Sequence, residues 1–169
     1  MFSEEILVKS IYCKDISNSF LNNALPRYRW YSYKEGFSQD IVIDAINNVG
    51  FKSSDYVLDP FNGNGTVTLT SAFNNIKSIG IEINPFVSFM SKVKHYNINS
   101  KIFNKKIIGL LNSVNKQKTS NLLNFSTFSE YSGKNKWLFN SDVLNSFEGG
   151  WHYTYKFDTI CKELFQLAL

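Results

Sequence analysis

The sequence predicts an α/β fold, with short parallel strands alternating with helices and a helical carboxyl-terminal region after them. Three observations predict it. Tyr56-Val57-Leu58 is an apolar run of strand length, and Ser78-Ile79-Gly80-Ile81-Glu82-Ile83 is a second. Between them Val67, Leu69, Ala72 and Phe73 fall at helical spacing, facing the sheet. Strand, helix and strand within roughly thirty residues make a parallel crossover unit.

Bulk composition narrows the class. A length of 169 residues suits one domain, and 43% hydrophobic with 16% aromatic residues is enough for a packed core. Net charge is +4 and the pI is near 9.0, which admits a nucleic-acid partner without demanding one, since no single run of lysine and arginine dominates. Cys13 and Cys161 stand far apart, so neither a disulfide framework nor a metal site is expected. Met1-Phe2-Ser3-Glu4-Glu5 carries acids where a secretory leader carries bases, and no run approaches ~18 apolar residues. A soluble cytoplasmic protein without membrane or metal is the expectation.

Taken in order, residues 1–38 form a lead-in and an aromatic segment. Ile6, Leu7 and Ile11 give its first part a weak apolar pattern, and Arg27, Trp30, Tyr31 and Tyr33 crowd the second. Those aromatics either fill one end of the core or stack on a nucleic acid, and Arg27 and Arg29 read as members of a solvated loop. Residues 39–94 are the α/β core. Ser38 is the expected N-cap of a helix over 39–48, with Ile41, Val42, Ala45 and Ile46 inward and Gly50 as its stop. Strands are expected near 55–59 and 78–83, with helices over 66–74 and 86–94.

Residues 95–169 read as a helical region. Ile107, Ile108, Leu110 and Leu111 mark one helix. Trp137, Leu138, Phe139, Val143 and Leu144 mark another that buries its aromatics, with Asp142 as its N-cap or a surface acid. Gly149-Gly150 is expected to break the chain. A last helix carries Ile160, Leu164, Phe165 and Leu167 inward, and His95 reads as a surface histidine.

The chemistry concentrates between the two strands. Asp59 ends the first strand, Pro60 has no N–H to continue the ladder, and Gly63 and Gly65 open a tight turn before the helix. Open α/β sheets bind their ligands at that carboxyl end. Glu82 lies 19 positions after Gly63, close to the ~20-residue offset at which an acid meets a ribose in nucleotide-binding crossover units. A dinucleotide fingerprint needs a third glycine or alanine where Thr68 stands, and a phosphate loop needs a lysine after Gly65. A turn that merely needs glycine is the plainer alternative.

The complete run Asp59-Pro60-Phe61-Asn62-Gly63-Asn64-Gly65-Thr66 resembles the cofactor loop of S-adenosylmethionine-dependent DNA methyltransferases of the amino-methylating type. Gly80-Ile81-Glu82-Ile83-Asn84-Pro85-Phe86, with Lys92 after it, resembles the second motif of that family. The resemblance covers about residues 26–94, and more loosely the helical tail to residue 169. It implies a partial Rossmann-like methyltransferase fold and S-adenosylmethionine as cofactor. Asp59 would lie near the methionine amine, and Pro60, Phe61, Gly63, Gly65 and Thr66 would form the cradle. Glu82 would hold the ribose and Ile83 would lie beside the adenine. Phe37 would close over the methionine end, although Gly36 replaces the lysine that the family places before it.

The implied reaction is methylation of an exocyclic amine of adenine or cytosine in DNA. A tRNA-type RNA methyltransferase, a non-catalytic cofactor- or DNA-binding module and a nicotinamide oxidoreductase are the alternatives. The family also uses a Pro-Pro-Tyr/Phe segment for catalysis, and the three prolines here, Pro26, Pro60 and Pro85, are never adjacent. Trp151, Tyr153 and Tyr155 with His152 or Asp158 offer an aromatic wall and an acceptor but read as core or loop. The expectation is therefore an amino-terminal part whose missing half, or partner subunit, carries catalysis, with the chain alone inactive.

Overall fold

The computed structural model describes residues 22, 24–31, 33, 34, 36–52, 54–125 and 138–169. Ile6, Leu7, Ile11, Cys13 and Trp137 lie outside the described residues. Two compact units divide at His95 and Tyr96.

In the first unit, helix α1 (Gln39–Val49) precedes strand β1 (Tyr56–Asp59), helix α2 (Thr66–Phe73), strand β2 (Lys77–Gly80) and helix α3 (Pro85–Lys94). The strands pair in parallel, with Tyr56 opposite Lys77, Leu58 opposite Ile79 and Asp59 opposite Gly80. The sheet has two strands among the described residues. β2 stops at Gly80, earlier than expected, yet the ladder runs on through the loop. The Ile81 amide donates to the Asp59 carbonyl at 2.8 Å, and the Asn62 amide donates to Ile81 at 2.9 Å. Glu82 and Ile83 therefore stand beyond the strand and not within it.

Ser38 holds the N-cap position of α1, but its hydroxyl makes no cap bond and is buried without a partner among the described residues. The cap comes from Asn22, whose Oδ1 accepts from the Gln39 amide at 3.0 Å while its Nδ2 donates to the Phe37 carbonyl at 2.8 Å. Gly50 ends the helix as expected, at φ 68° in the left-handed region.

The buried stripe of α2 differs from the expected one. Leu69 is buried, but Ala72 and Phe73 are exposed, and Thr66, Thr68, Thr70 and Ser71 take the interior positions. Three of these hydroxyls can be buried because the helix and the preceding loop give them partners, whereas the Ser71 hydroxyl is buried without a partner among the described residues. Thr70 Oγ1 donates to the Thr66 carbonyl at 2.7 Å, and Thr68 Oγ1 donates to Asn62 Oδ1 at 3.0 Å. Across the sheet the opposite face is bare: Tyr56, Leu58, Ile79 and Ile81 are all more than half exposed.

The second unit is helical: α4 (Ser100–Lys116), a 3-10 turn (Asn121–Asn124), α5 (Ser141–Thr154) and α6 (Thr159–Ala168). Asn99, Asn140 and Asp158 cap the three helices with side-chain oxygens. Asp142 is thus a first-turn acid, and Leu138 and Phe139 are exposed ahead of the helix. Leu110, Cys161 and Phe165 form the core with Phe103, Ile107, Tyr153 and Phe157 around it. Phe103 stacks on Phe165 at 4.7 Å. Ile160, expected inward, is exposed, as are Ile108 and Leu111 of the helix-marking run, so the apolar stripes are narrower than the run of isoleucines and leucines suggests.

Gly149 and Gly150 do not break the chain; they lie buried inside α5. A Cβ on Gly149 would meet the Ser113 carbonyl at 2.5 Å, and one on Gly150 would meet Val114 at 2.8 Å and Leu169 at 2.9 Å. Gly149 is where α5 meets the α4 backbone, and Gly150 makes room for the side chains of Val114 and Leu169. Just beyond α4, Gln117 adopts φ 56°, ψ 166°, a conformation nearly confined to glycine, at a cost of roughly 1–3 kcal/mol. Gly149 makes room for it, since that same Cβ would lie 3.2 Å from Gln117 Cα.

Helix propensity alone says Gly149→Ala should stabilise α5 by about 1 kcal/mol. Backbone crowding reverses the sign, and a loss of about 1–3 kcal/mol in urea unfolding is expected.

Candidate functional site

Four segments converge on the loop after β1. Gly63 and Gly65 have φ 49° and 85°, so both occupy the left-handed region that glycine enters freely. Each is also closely packed. A Cβ on Gly63 would lie 3.2 Å from the Tyr33 ring, and one on Gly65 would collide with Ser91 of α3. Asn62, buried in the loop, donates through Nδ2 to Ser91 Oγ at 2.7 Å and fills the space that Gly80 leaves on β2.

The two acids take different partners. Asp59 Oδ1 accepts from the Phe61 amide at 3.1 Å. Glu82 Oε2 accepts from the Gly63 amide at 2.9 Å and its Oε1 from the Asn84 amide at 2.8 Å. The carboxylate ties the glycine loop to the start of α3, and each oxygen keeps a lone pair for a further donor. Thr66 is buried at the start of α2, where its hydroxyl donates to Asn64 Oδ1 at 3.0 Å. Phe61 is 88% exposed and Ile83 98%, so two apolar side chains stand bare around the acids. Pro60 is exposed as well, and Phe37 is half-buried beside the α1 cap. Asp59 and Glu82 thus share the loop with Phe61, Gly63, Gly65 and Thr66. No direct tie joins Phe37 to it among the described contacts.

The aromatic segment is more than a solvated loop. Tyr28 is buried, with its hydroxyl 2.8 Å from Thr70 Oγ1, and burial raises its pKa. Arg27 lies over the Phe73 ring at 5.8 Å and donates to the Lys94 carbonyl at 2.9 Å. Tyr31 meets Phe86 edge-on at 5.8 Å. Arg29 is exposed.

Lys94 is the residue that sequence reading missed. It is 1% exposed and its Nζ donates to the Asn64 carbonyl at 2.9 Å, pinning the loop from α3. Burial pushes it down to about 8. One signal was available: Val87, Met90, Ser91 and Lys94 share the i, i+3, i+4, i+7 stripe, so a lysine at the last position points inward. His95 is half-buried and not a surface histidine. Its Nε2 lies 3.3 Å from Thr68 Oγ1, and burial, then the charges of Arg27 and Lys94, lower its pKa. A polar cleft of about 330 Å³ runs past Asn62, Thr68, Glu82, Ser91 and His95. The described residues include no group of three or more His, Cys, Asp and Glu side chains able to hold a metal, and no described helix is long and apolar enough to cross a membrane.

Lys94 carries a sign-definite pH effect. Because its folded pKa lies near 8 and its unfolded value near 10.5, the unfolded chain binds more protons between those values. Stability should therefore rise across that window, with the burial cost fully present below pH 8. Comparing wild type with Lys94→Met by urea unfolding at pH 7, 9 and 11 isolates this slope, which should be absent from the variant.

No protein-family model and no solved structure matches the chain. Three curated proteins do. Type II methyltransferase M.BsoBI of Geobacillus stearothermophilus is 47% identical over 58 residues, 34% of this chain and 11% of that protein. Type II methyltransferase M.AvaI of Nostoc sp. is 34% identical over 84 residues, 50% of this chain and 17% of its own length. M.AvaI of Anabaena variabilis gives the same figures. The chain is thus similar, over a third to a half of its length, to type II methyltransferases, of which the match spans less than a fifth.

Proposed function

We propose that this chain is the S-adenosylmethionine-binding part of a DNA methyltransferase acting on an exocyclic amine of adenine or cytosine, within a restriction-modification system. The observation that carries the reading is Glu82 Oε2 on the Gly63 amide at 2.9 Å, which joins the two sequence motifs into one site at the carboxyl end of a parallel strand pair. Similarity to type II methyltransferases supports the same reaction class. A Rossmann-like sheet is the fold into which this strand pair and its helices would extend.

The residues fit the cofactor's chemistry. It carries an ammonium and a carboxylate at one end, a ribose and adenine at the other, and supplies a methyl group on a sulfonium. Asp59 keeps one carboxylate oxygen outside its bond to Phe61 and would face the ammonium. Glu82 would accept from ribose hydroxyls through its remaining lone pairs. Phe61 and Ile83, bare here, would be covered, Ile83 by the adenine. Pro60, Gly63, Gly65 and Thr66 would shape the cradle, and Phe37 would lie at the methionine end.

Binding alone lowers no barrier. Amine methylation needs an acceptor for the amine hydrogens and a wall for a base flipped out of the duplex. In the family a Pro-Pro-Tyr/Phe segment provides both, its polar head and backbone carbonyl as acceptors and its aromatic as the wall, and this sequence has no adjacent prolines. Tyr153, on α5, packs edge-on against Phe157 at 5.4 Å, as core aromatics do.

Calorimetric titration with S-adenosylmethionine should give one site. Asp59→Ala and Glu82→Ala should each weaken it about tenfold or more, the loss of a charge-assisted hydrogen bond. Binding that survives both substitutions sinks the assignment, as does preference for a nicotinamide dinucleotide. Transfer of labelled methyl groups to unmethylated DNA should stay at background for the chain alone.

A further inference from the structure

The net charge of the molecule is confined to one half. Residues 1–95 carry nine lysines and arginines against nine acids, and residues 96–169 carry nine lysines against five acids, so the whole +4 belongs to the helical part. Three of those lysines are brought together by folding. Lys116 at the end of α4, Lys118 just beyond it and Lys156 just past α5 line one groove of about 220 Å³ with His152 and Tyr153. No acid lines it. Among the described residues none of the three lysines has an ion-pair partner, whereas Lys106 of the same unit is paired with Asp158 at 2.7 Å.

The groove is built, not merely exposed. Gln117, between Lys116 and Lys118, is held in its glycine-like conformation. Its amide donates to Val114 at 3.2 Å, and the following amide, of Lys118, donates to the Asn145 carbonyl at 2.9 Å. Gln117 Nε2 lies 3.3 Å from Ser146 Oγ. Strain of this kind persists only where surrounding structure enforces it, and it gathers at ligand clamps. Lys156 lies over the Tyr153 ring at 4.6 Å, so one wall combines cation and aromatic face. Lysines near helix ends do complement the helix dipole. That accounts for Lys116, but not for three like charges meeting on one groove without a carboxylate.

We propose that this groove is a contact surface for the phosphodiester backbone of duplex DNA. The polyanion is chosen by charge complementarity, and the choice of DNA over another polyanion rests on the methyltransferase reading. Lys116, Lys118 and Lys156 neutralise successive phosphates, and Tyr153 lines the groove beside them. Such contacts position a duplex without reading its sequence.

The test is fluorescence anisotropy with a short labelled duplex, the full chain and a salt series from roughly 50 to 200 mM. Each phosphate contact contributes about 0.9 to the slope of log affinity against log salt. The triple variant Lys116→Ala/Lys118→Ala/Lys156→Ala should lose about 2–3 from that slope and on the order of tenfold or more in affinity at ~0.1 M salt. A control removing three exposed lysines elsewhere, Lys34→Ala/Lys52→Ala/Lys101→Ala, lowers net charge equally and should lose much less. Equal losses in the two variants overturn the groove, as does a wild-type chain that ignores DNA. A duplex RNA or heparin bound more tightly than DNA overturns the choice of partner. Should the triple variant lose its helical circular dichroism, the three single Lys→Gln substitutions carry the test, each expected to remove about 1 from the slope. S-adenosylmethionine affinity, measured in parallel, should be unchanged in the triple variant. If the wild type binds DNA through the groove but not the cofactor, the functional reading fails and the groove stands.

Discussion

Asn62 holds the amino-terminal unit together. Its backbone amide extends the parallel ladder to Ile81, its carbonyl takes the Gly65 amide at 2.8 Å, and its side chain links Thr68 of α2 to Ser91 of α3. Four hydrogen bonds thus connect the loop, both helices and the approach to the second strand through one residue. The side chain fits only because Gly80 has no Cβ; a methyl there would lie 2.5 Å from the carboxamide. A buried amide left half-satisfied would cost about 1–3 kcal/mol, so the network favours this one arrangement of the loop.

The interior beside the loop is polar, and that sets its character. Thr66, Thr68, Thr70, Ser71, Ser91 and Lys94 take places that an ordinary core gives to leucine and valine. Such a packing region gains little from burial of apolar surface and much from directional bonds. It sacrifices stability for a fixed backbone, most plainly at Lys94, where an ammonium is buried to hold one carbonyl. Burial, with the charges of Arg27 and Lys94 beside it, disfavours the charged form of His95.

The strands, the parallel pairing and the helices among the described residues were legible in the sequence because their signals are local: apolar runs and a glycine stop at position 50. The caps were not, since Asn22, Asn99, Asn140 and Asp158 hold the places expected of Ser38 and Asp142 or of no named residue. The two acids and glycines of the candidate site were legible because they are consecutive or at a fixed offset. Other features depend on contacts distant in sequence. Asn22 capping α1, Lys94 reaching Asn64, and Lys156 meeting Lys116 each join residues that no window brings together. Gly149 and Gly150 misled for a related reason. A glycine pair signals a break when judged alone, but here it marks the place where another helix needs the volume of the missing side chains.

The strand pair has only four residues on each side and one bare apolar face. So short a ladder contributes little rigidity of its own. The bond from the Ile81 amide to the Asp59 carbonyl, and the one from the Gly63 amide to Glu82, span the same gap in series. Slippage by a single residue would turn every side chain of β2 to the other face and break both bonds at once. The spacing between the two carboxylates therefore hangs on this one register: Asp59 keeps its local bond to Phe61 either way, but Glu82 stands beside it only when the strands are aligned.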